Sequence, residues 1–205
     1  MKKILLLLVL LIFISCTTKY IPVRSENVTV TEDFGVLKTK NYTLAVENRY
    51  WDKAPREVAD YFTTFYITVK NRTSEKMKIK PENIGLLDED GNQFDVVSLD
   101  YIEKFLLPKQ MEYLMISNIE DDLFDFETED EKNIFEKLVD DQKDFLQRWR
   151  NSKRNLMKYA FHFGTIQAGA QKSGFIYFPK LEARNNSCQI IFRGKNIDFI
   201  QNDVK

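Results

Sequence analysis

The amino-acid sequence predicts a mainly β protein of the α+β class, an antiparallel β-sandwich interrupted by one long helical insertion. Three observations predict this fold. Apolar and polar residues alternate in several short stretches at both ends of the chain, which is the period of β-strands. Between about 98 and 160 the alternation stops and apolar residues follow helical spacing. Turn-forming residues separate the strand-like stretches, as they do in antiparallel hairpins.

The first strands are short. Val28 and Val30 alternate with polar neighbours, and the stretch 42–46 alternates in the same way. The clearest strand runs from 61 to 71 and carries β-branched or aromatic residues on both faces, which is typical of a strand inside a sheet rather than at its edge. Trp51 lies in the segment before this strand, and we expect it to be packed under a loop.

A hairpin turn is predicted at 88–92. Apolar runs at 84–87 and 94–97 flank it, and Asp90 followed by Gly91 supplies residues that tolerate positive φ. The two aspartates also suggest a calcium loop. However, an EF-hand with this glycine at its sixth position would have Leu and Val at its first and twelfth positions, where ligands are needed. The sequence therefore favours the turn.

Two groups of residues carry a resemblance to a known family. The first group is Tyr66, Ile67, Val69, Lys70, Asn71, Ile79, Pro81, Ile84, Leu86, Asp88, Asp90, Gly91 and Phe94. The second group is Gly164, Thr165, Ile166, Gln167, Ala168, Gly169, Gly174, Phe175, Ile176, Tyr177 and Phe178, with Ala168 in place of the usual proline. They resemble the immunoglobulin-like domains of unknown function found on many bacterial lipoproteins. The resemblance implies an immunoglobulin-like sandwich and no particular ligand, and the strand-like parts, about 114 residues, approach the roughly 100 of such a domain.

The insertion at about 98–160 is predicted to be helical. Apolar residues follow helical spacing over 99–106, and further along an apolar pattern repeats every eleven residues, or about 3.67 residues per turn. This repeat predicts one helix from about Glu129 to His162. Thr128 followed by Glu131 has the spacing of a capping box at its start, and its acidic beginning and basic end complement the helix dipole.

The apolar stripe of this helix has two interpretations. It packs on the rest of the domain, or part of it is exposed and docks a partner, in which case Phe135, Leu146 and Trp149 are the candidate partner surface. The segment 118–144, with twelve acidic residues against three lysines, also has two interpretations. It is a solvated face, or it is an acidic surface for a basic partner or a loosely held divalent ion.

The first sixteen residues predict the cellular location of the protein. Two lysines precede an apolar run from Ile4 to Ile14, and small Ser15 follows, as in a secretory signal. The run spans roughly 16 Å as a helix, against about 30 Å of membrane hydrocarbon. The residues FISC ending at Cys16 resemble the lipobox of bacterial lipoproteins, in which the cysteine is acylated, although Phe13 stands where leucine is usual. The alternative is an ordinary secretory signal that ends near a cysteine.

The predicted organisation is a signal peptide at 1–15, a lipidated tether at 16–25 and a single domain at 26–200. The lipoprotein resemblance implies lipid anchoring in the bacterial cell envelope. Because Thr17 replaces the aspartate that retains many lipoproteins in the inner membrane, the resemblance further implies the outer membrane, with the domain facing the periplasm.

Composition narrows the classes of function. Without the two lysines of the signal, 28 basic residues stand against 31 acidic ones, so we expect no recruitment of nucleic acid by net charge. If a lipid occupies Cys16, Cys188 has no cysteine partner. Its apolar neighbours predict a small buried side chain rather than a reactive thiol.

No catalytic motif is recognisable. The sequence has no glycine-elbow serine, no cysteine with a histidine placed to activate it and no phosphate-binding glycine loop. Its one histidine, His162, lies between two phenylalanines and is expected to be structural, so no metal or cofactor is predicted. We expect a lipid-anchored interaction or scaffold module with an envelope protein as partner. The alternative is a small-ligand carrier or enzyme with a pocket between insertion and sandwich, lined by residues such as Trp51, Tyr101 and Tyr113.

Overall fold

The structure is a computed structural model that describes residues 19–109 and 131–202, without the side chains of 131–140 and 142. Within these residues the chain forms twelve strands, three α-helices and a short 3-10 helix at Pro81–Asn83. The strands are β1 (Lys19–Pro22), β2 (Val28–Thr31), β3 (Phe34–Lys38), β4 (Tyr42–Asn48), β5 (Phe62–Asn71), β6 (Met77–Ile79), β7 (Ile84–Asp88), β8 (Gln93–Asp95), β9 (Gly164–Ile166), β10 (Gln171–Pro179), β11 (Ser187–Phe192) and β12 (Lys195–Asn202). The helices are α1 (Val58–Tyr61), α2 over 99–109 and α3 (Glu131–Tyr159).

The strands form two five-stranded antiparallel sheets, ordered β1-β12-β11-β7-β8 and β10-β5-β4-β3-β2, and β6 pairs separately with β9. The two large sheets face each other across one apolar core. Tyr42 of β4 lies with its ring centroid 5.0 Å from that of Phe192 in β11, and Phe65 of β5 lies 5.2 Å from Phe199 in β12. This arrangement confirms the mainly β, sandwich-like α+β class that the sequence predicts.

The predicted interior strand is β5, which lies between β10 and β4. Phe65, Ile67 and Val69 point into the core between the sheets. Phe62 and Tyr66 point the other way and belong to a second apolar cluster. The aromatic residues on each face of this strand therefore pack in a different apolar cluster.

The second cluster covers the outer face of β5 and β10 with helices and with the loop that carries Trp51. Phe175 and Tyr177 of β10 are buried there. The residues that cover this face are Trp51, Val58, Ala59, Ile102, Leu106, Trp149, Leu156 and Ala160. The helical insertion is thus a third layer of the fold, since it buries a face of the sheet that would otherwise expose aromatic rings to water.

The insertion leaves and rejoins the sandwich close to the predicted limits of 98 and 160. After β8, the amide of Val97 donates to the carbonyl of Tyr177 at 2.8 Å. After α3, the amide of Phe161 donates to the carbonyl of Phe175 at 2.7 Å. Both junctions therefore lie on β10, and α3 itself ends within three residues of the predicted position.

Strand β1 lies within the predicted tether at 16–25, so the fold begins before the predicted domain start at 26. Lys19–Pro22 is strand β1, paired with β12 from Lys19 opposite Asn202 to Pro22 opposite Phe199. Tyr20 is buried, and its hydroxyl donates to the carbonyl of Asn185 at 2.8 Å. Four residues are too short for a periodic signal, and the partner strand lies at the other end of the chain. Only Thr17 and Thr18 separate Cys16 from this strand.

Strand β3 was not among the predicted strands. Its Gly35 is part of the reason, because glycine weakens the strand signal in the sequence. A Cβ atom at Gly35 would lie 2.6 Å from Ile197 and 2.9 Å from Pro22. Glycine is required because β1 and β12 cross this strand at close range. A residue that weakens strand propensity locally is therefore needed for the contact between sheets.

A second glycine permits the insertion to rejoin the sheet, and this gives a test of the layer arrangement. A Cβ atom at Gly174 would lie 2.5 Å from backbone atoms of Ala160 and Phe161, which cannot move like a flexible side chain. We expect Gly174→Ala to lower the free energy of unfolding by roughly 1–3 kcal/mol through overpacking. Urea unfolding followed by circular dichroism measures this change.

Gly85→Ala is the matched control, because a Cβ atom there would lie 3.6 Å or more from its neighbours. This variant should unfold within about 0.5 kcal/mol of the parent. Equal losses in the two variants would contradict the close approach of the insertion to β10.

Candidate functional site

A cleft of about 490 Å³ lies between the insertion and the sandwich, within the range of roughly 300–1,000 Å³ common for small-molecule sites. Its walls come from both parts of the fold. The lining residues are Tyr61, Phe62, Asp95, Val96, Val97, Ser98, Tyr101, Phe105, Pro179 and Lys180. We call this the aromatic cleft.

Local structure brings these residues together. On the sandwich side, Pro179 at the end of β10 lies opposite Phe62 at the start of β5. On the insertion side, the hydroxyl of Ser98 accepts the amide of Tyr101 at 3.1 Å, which caps the first turn of α2. Phe105 follows one turn later, so the first turns of α2 face the end of the β5-β10 pair.

Phe105 is the centre of the aromatic set. Its ring centroid lies 5.1 Å from that of Tyr61 and 5.8 Å from that of Phe62, both edge to face, and 6.0 Å from that of Tyr101 in a stacked pair. The ammonium of Lys109 lies 4.6 Å from the ring centroid of Tyr61, a cation–π contact. Tyr101 is 55% exposed, so part of the aromatic surface faces solvent.

Two charged groups line the same cleft. The Lys180 ammonium donates to the carbonyl of Ala59, and burial lowers the pKa of Lys180 while the Asp60 carboxylate opposes that shift. Asp95 contributes an exposed carboxylate at the end of β8. The cleft therefore has mainly apolar walls with one cation and one anion among them.

A second surface feature lies on the exposed side of α3. Leu146 and Met157 are 48% and 54% exposed, which is high for large apolar side chains. A shallow groove of about 520 Å³ is lined by Arg150, Lys153, Arg154, Met157, Lys158 and His162. The sequence from 145 to 181 contains no acidic residue. We call the exposed side formed by Leu146 and these groove residues the basic face of α3.

The three residues of the predicted partner surface have different positions in the structure. Leu146 is exposed on the basic face. Trp149 is 8% exposed and belongs to the cluster that seats α3 on the sandwich, so its assignment to an exposed surface is wrong. Neighbouring helical residues point about 100° apart. The apolar stripe predicted from the sequence therefore mixes residues of the buried side and of the exposed side of α3. Phe135 lies on α3, but its side chain is outside the described residues.

Only one of the three predicted pocket residues is found at the cleft. Tyr101 lines the aromatic cleft. Trp51 is fully buried, donates from its ring nitrogen to the carbonyl of Pro55 at 2.9 Å and lies under its loop, as predicted. Tyr113 is outside the described residues, as are 118–130 of the acidic segment and the side chains of 131–140 and 142. The other cleft residues gave no signal in the sequence, since only strand pairing and helix packing bring them together.

The turn at 88–92 is confirmed. The Asp88 carboxylate accepts the Asn92 backbone amide at 2.7 Å and the Asn92 side-chain amide at 2.9 Å, and Gly91 has a φ of 85°. These hydrogen bonds, chiefly the one from the Asn92 side chain, hold the pKa of Asp88 below its usual range. Across the residues that the structure describes, no group of three His, Cys, Asp or Glu side chains is placed to hold a metal ion.

Two buried polar groups lie away from the aromatic cleft. Cys188 is 1% exposed in the core between the sheets, as predicted for a small buried side chain, and burial raises its pKa to about 12. The Tyr177 hydroxyl is buried beneath the helices, and it has no hydrogen-bond partner within the described part of the chain. The same burial raises the pKa of Tyr177. His162, by contrast, has an exposed side chain.

Comparison with known proteins adds little. No protein-family model and no curated protein matches the sequence. This chain is similar to the solved structure of a functionally unknown protein from Listeria monocytogenes EGD-e, with 13% sequence identity and a TM-score of 0.31. The match covers 92% of this chain and 86% of the Listeria chain. In the described residues, no helix combines the length and apolar character needed to cross a membrane.

The burial of Cys188 predicts its chemistry. In a Cys16→Ser chain, where it is the sole thiol, we expect almost no reaction with Ellman's reagent at pH 8 in the native state and full reaction in denaturant. Because the folded pKa lies above the unfolded one, the folded state keeps the proton that the unfolded state loses. The stability that the protonated thiol contributes to the folded state is therefore intact below about pH 9 and is lost as the pH rises towards 12.

Urea unfolding at several pH values between 8 and 11 checks the linkage. The fall in stability over this range should be smaller for Cys188→Ala than for the parent, because the titrating thiol is gone. Rapid labelling of the native chain at pH 8 would contradict the buried position of the sulfur.

Proposed function

We propose that this chain is a lipid-anchored protein of the bacterial cell envelope that acts as a protein-interaction module. The lipobox resemblance ending at Cys16 supports the anchor, and its Thr17 supports the outer membrane with the domain on the periplasmic side. Strand β1 begins three residues after Cys16, so an acylated cysteine would hold the sandwich within roughly 10 Å of chain length from the membrane.

The sandwich itself, in this proposal, is immunoglobulin-like. The two-sheet antiparallel architecture supports this assignment. The residues that carry the family resemblance fall on consecutive strands, β5 to β8 before the insertion and β9 to β10 after it. The insertion is then an addition at one edge, carried by β10.

The observation that carries the interaction role is the basic face of α3. One side of the helix is seated on the sandwich through Trp149 and Leu156. The adjacent, exposed side carries Leu146 and Met157 among arginines and lysines. Apolar side chains within a charged rim are the usual composition of a protein-binding surface.

The charge of this face specifies the partner. The stretch 145–181 contains no acidic residue, so the local field is positive, and Lys153 forms an ion pair with Glu103 of α2 at 2.6 Å. The partner is therefore a protein with an acidic surface that also offers an apolar contact. Such binding weakens with added salt because exposed charges are screened.

Fatty-acid labelling tests the anchor. We expect labelled palmitate to be incorporated by the parent and lost completely in Cys16→Ser, because acylation requires that thiol. Cys188→Ala is the matched control, since it removes the other cysteine of the chain and should leave the label unchanged. Equal labelling of parent and Cys16→Ser would refute the lipoprotein assignment.

Deletion of the insertion is a poor test of the interaction role, because it would uncover Phe175 and Tyr177 on the outer face of the sheet. A photo-crosslinking residue at Leu146 keeps the fold intact, since that side chain is about half exposed. We expect a defined crosslinked partner whose yield falls about tenfold with Arg154→Glu, equivalent to 1.4 kcal/mol of binding free energy. The yield should also fall as salt is raised.

Lys195→Glu is the control for charge, because it makes the same change at an exposed residue of β12, in the other sheet. Its crosslink yield should match that of the parent. Equal reduction by the two substitutions, or a yield that ignores both charge and salt, would refute the basic face as the binding surface.

A small-ligand carrier is the second candidate, and the aromatic cleft favours it. The cleft lies between insertion and sandwich, and its volume suits one small molecule. None of its lining residues is a cysteine or a histidine, its one serine caps α2, and its one lysine donates to the carbonyl of Ala59. The lining therefore favours binding over nucleophilic catalysis.

A further inference from the structure

The aromatic cleft is lined partly by strand ends that lie near the start of β1, from which the chain runs back to Cys16. The amide of Tyr20 in β1 donates to the side chain of Asn48 at 2.8 Å. The same Asn48 side chain donates to the carbonyl of Thr64 at 3.0 Å. Thr64 is two residues from Phe62, which lines the cleft. Two hydrogen bonds therefore connect the first strand with the strand end that forms the cleft.

The other side of the sandwich agrees with this placement. The hydroxyl of Tyr20 donates to the carbonyl of Asn185, in the connection that follows β10. Pro179 and Lys180, which line the cleft, begin that connection. The start of β1 and the cleft thus share one end of the fold. An acylated Cys16 would hold this end, and the cleft with it, towards the lipid surface.

The walls of the cleft suit a hydrocarbon chain. Phe62, Val97 and Phe105 supply buried or half-buried apolar surface. Tyr61 and Tyr101 are partly exposed at its mouth, and tyrosine is enriched where proteins meet the membrane–water interface. Burial of a chain against these side chains would remove apolar surface of both partners from water.

The charges of the cleft select the head group. Asp95 would repel a ligand that carried only negative charge, and Lys180 would repel one that carried only positive charge. Asp60 near Lys180 and Lys109 over Tyr61 add one charge of each sign. A further pair, Lys104 with Asp100 at 2.8 Å, is already neutralised. A ligand that carries both charges fits this balance.

We propose that the aromatic cleft binds a phospholipid with a zwitterionic amine-and-phosphate head group. An acyl chain lies along the rings of Phe105, Tyr61 and Tyr101, the amine pairs with Asp95, and the phosphate pairs with Lys180. The inference rests on the proposed lipid anchor, because the anchor places the cleft at a membrane.

The test uses the chain from residue 16 onward with Cys16→Ser, which contains every element that the structure describes. The probes are monoacyl phosphatidylethanolamine and monoacyl phosphatidylglycerol, each below its micelle concentration, titrated by isothermal calorimetry. We expect the parent to prefer the zwitterionic lipid. Asp95→Asn should reverse this preference, and Lys180→Gln should weaken both lipids by roughly tenfold through loss of a charge-assisted contact.

Tyr101→Ala should weaken both lipids by a similar factor, since it removes exposed ring surface from the mouth of the cleft. Tyr50→Ala is the matched control, because Tyr50 is 59% exposed and does not line the cleft. Equal affinities for the two head groups in the parent and in both charge variants would overturn the proposal and leave only an apolar patch. Equal loss in the two tyrosine variants, or no binding of either lipid, would overturn it as well.

Failure of this inference and failure of the anchor are distinguishable. The calorimetry uses a chain that cannot be acylated, so its outcome does not depend on the lipid at Cys16. Palmitate labelling of the parent reports the anchor alone. Labelling without lipid binding would overturn the cleft assignment and leave the lipoprotein assignment standing.

Discussion

The fold depends on the pairing of β5 with β10, because these two strands are apolar on both faces. Phe65 and Phe178 fill the core between the sheets, and Phe175 and Tyr177 project from the opposite side. A two-layer sandwich can bury only the first pair. The second face would cost free energy in water in proportion to its area, so the fold requires a third layer. The helical insertion supplies that layer, and its two ends are hydrogen-bonded to β10 itself.

This requirement also shapes both candidate sites. Helix α3 must present Trp149 and Leu156 to the sheet, which leaves Leu146 and Met157 on the side facing solvent. Helix α2 covers the outer face only as far as the strand ends, and the aromatic cleft lies where its first turns meet Pro179 and Phe62. The cleft and the basic face are thus consequences of how far each helix covers the sheet.

The elements with a local signal could be predicted from the sequence, and those that depend on distant partners could not. Strand β5, the turn at 88–92 and helix α3 each carry their own periodicity or turn chemistry. Strand β1 has four residues and is held by β12, so no local pattern reports it. The candidate site follows the same division. Tyr101 was predicted for a pocket, whereas Asp95 and Lys180 reach the cleft from the ends of strands in different sheets. An eleven-residue repeat likewise cannot separate Trp149 from Leu146.

The helical layer connects the two proposed surfaces physically. Ile102 and Leu106 of α2 are buried in the same cluster as Trp149 of α3, and Glu103 pairs with Lys153 at 2.6 Å. The two helices therefore form one packed unit above the sheet. Tyr101 and Phe105, which line the cleft, lie on the same short helix as these contacts. Because the two helices share close-packed side chains, the position of each proposed surface depends on the packing of the other helix.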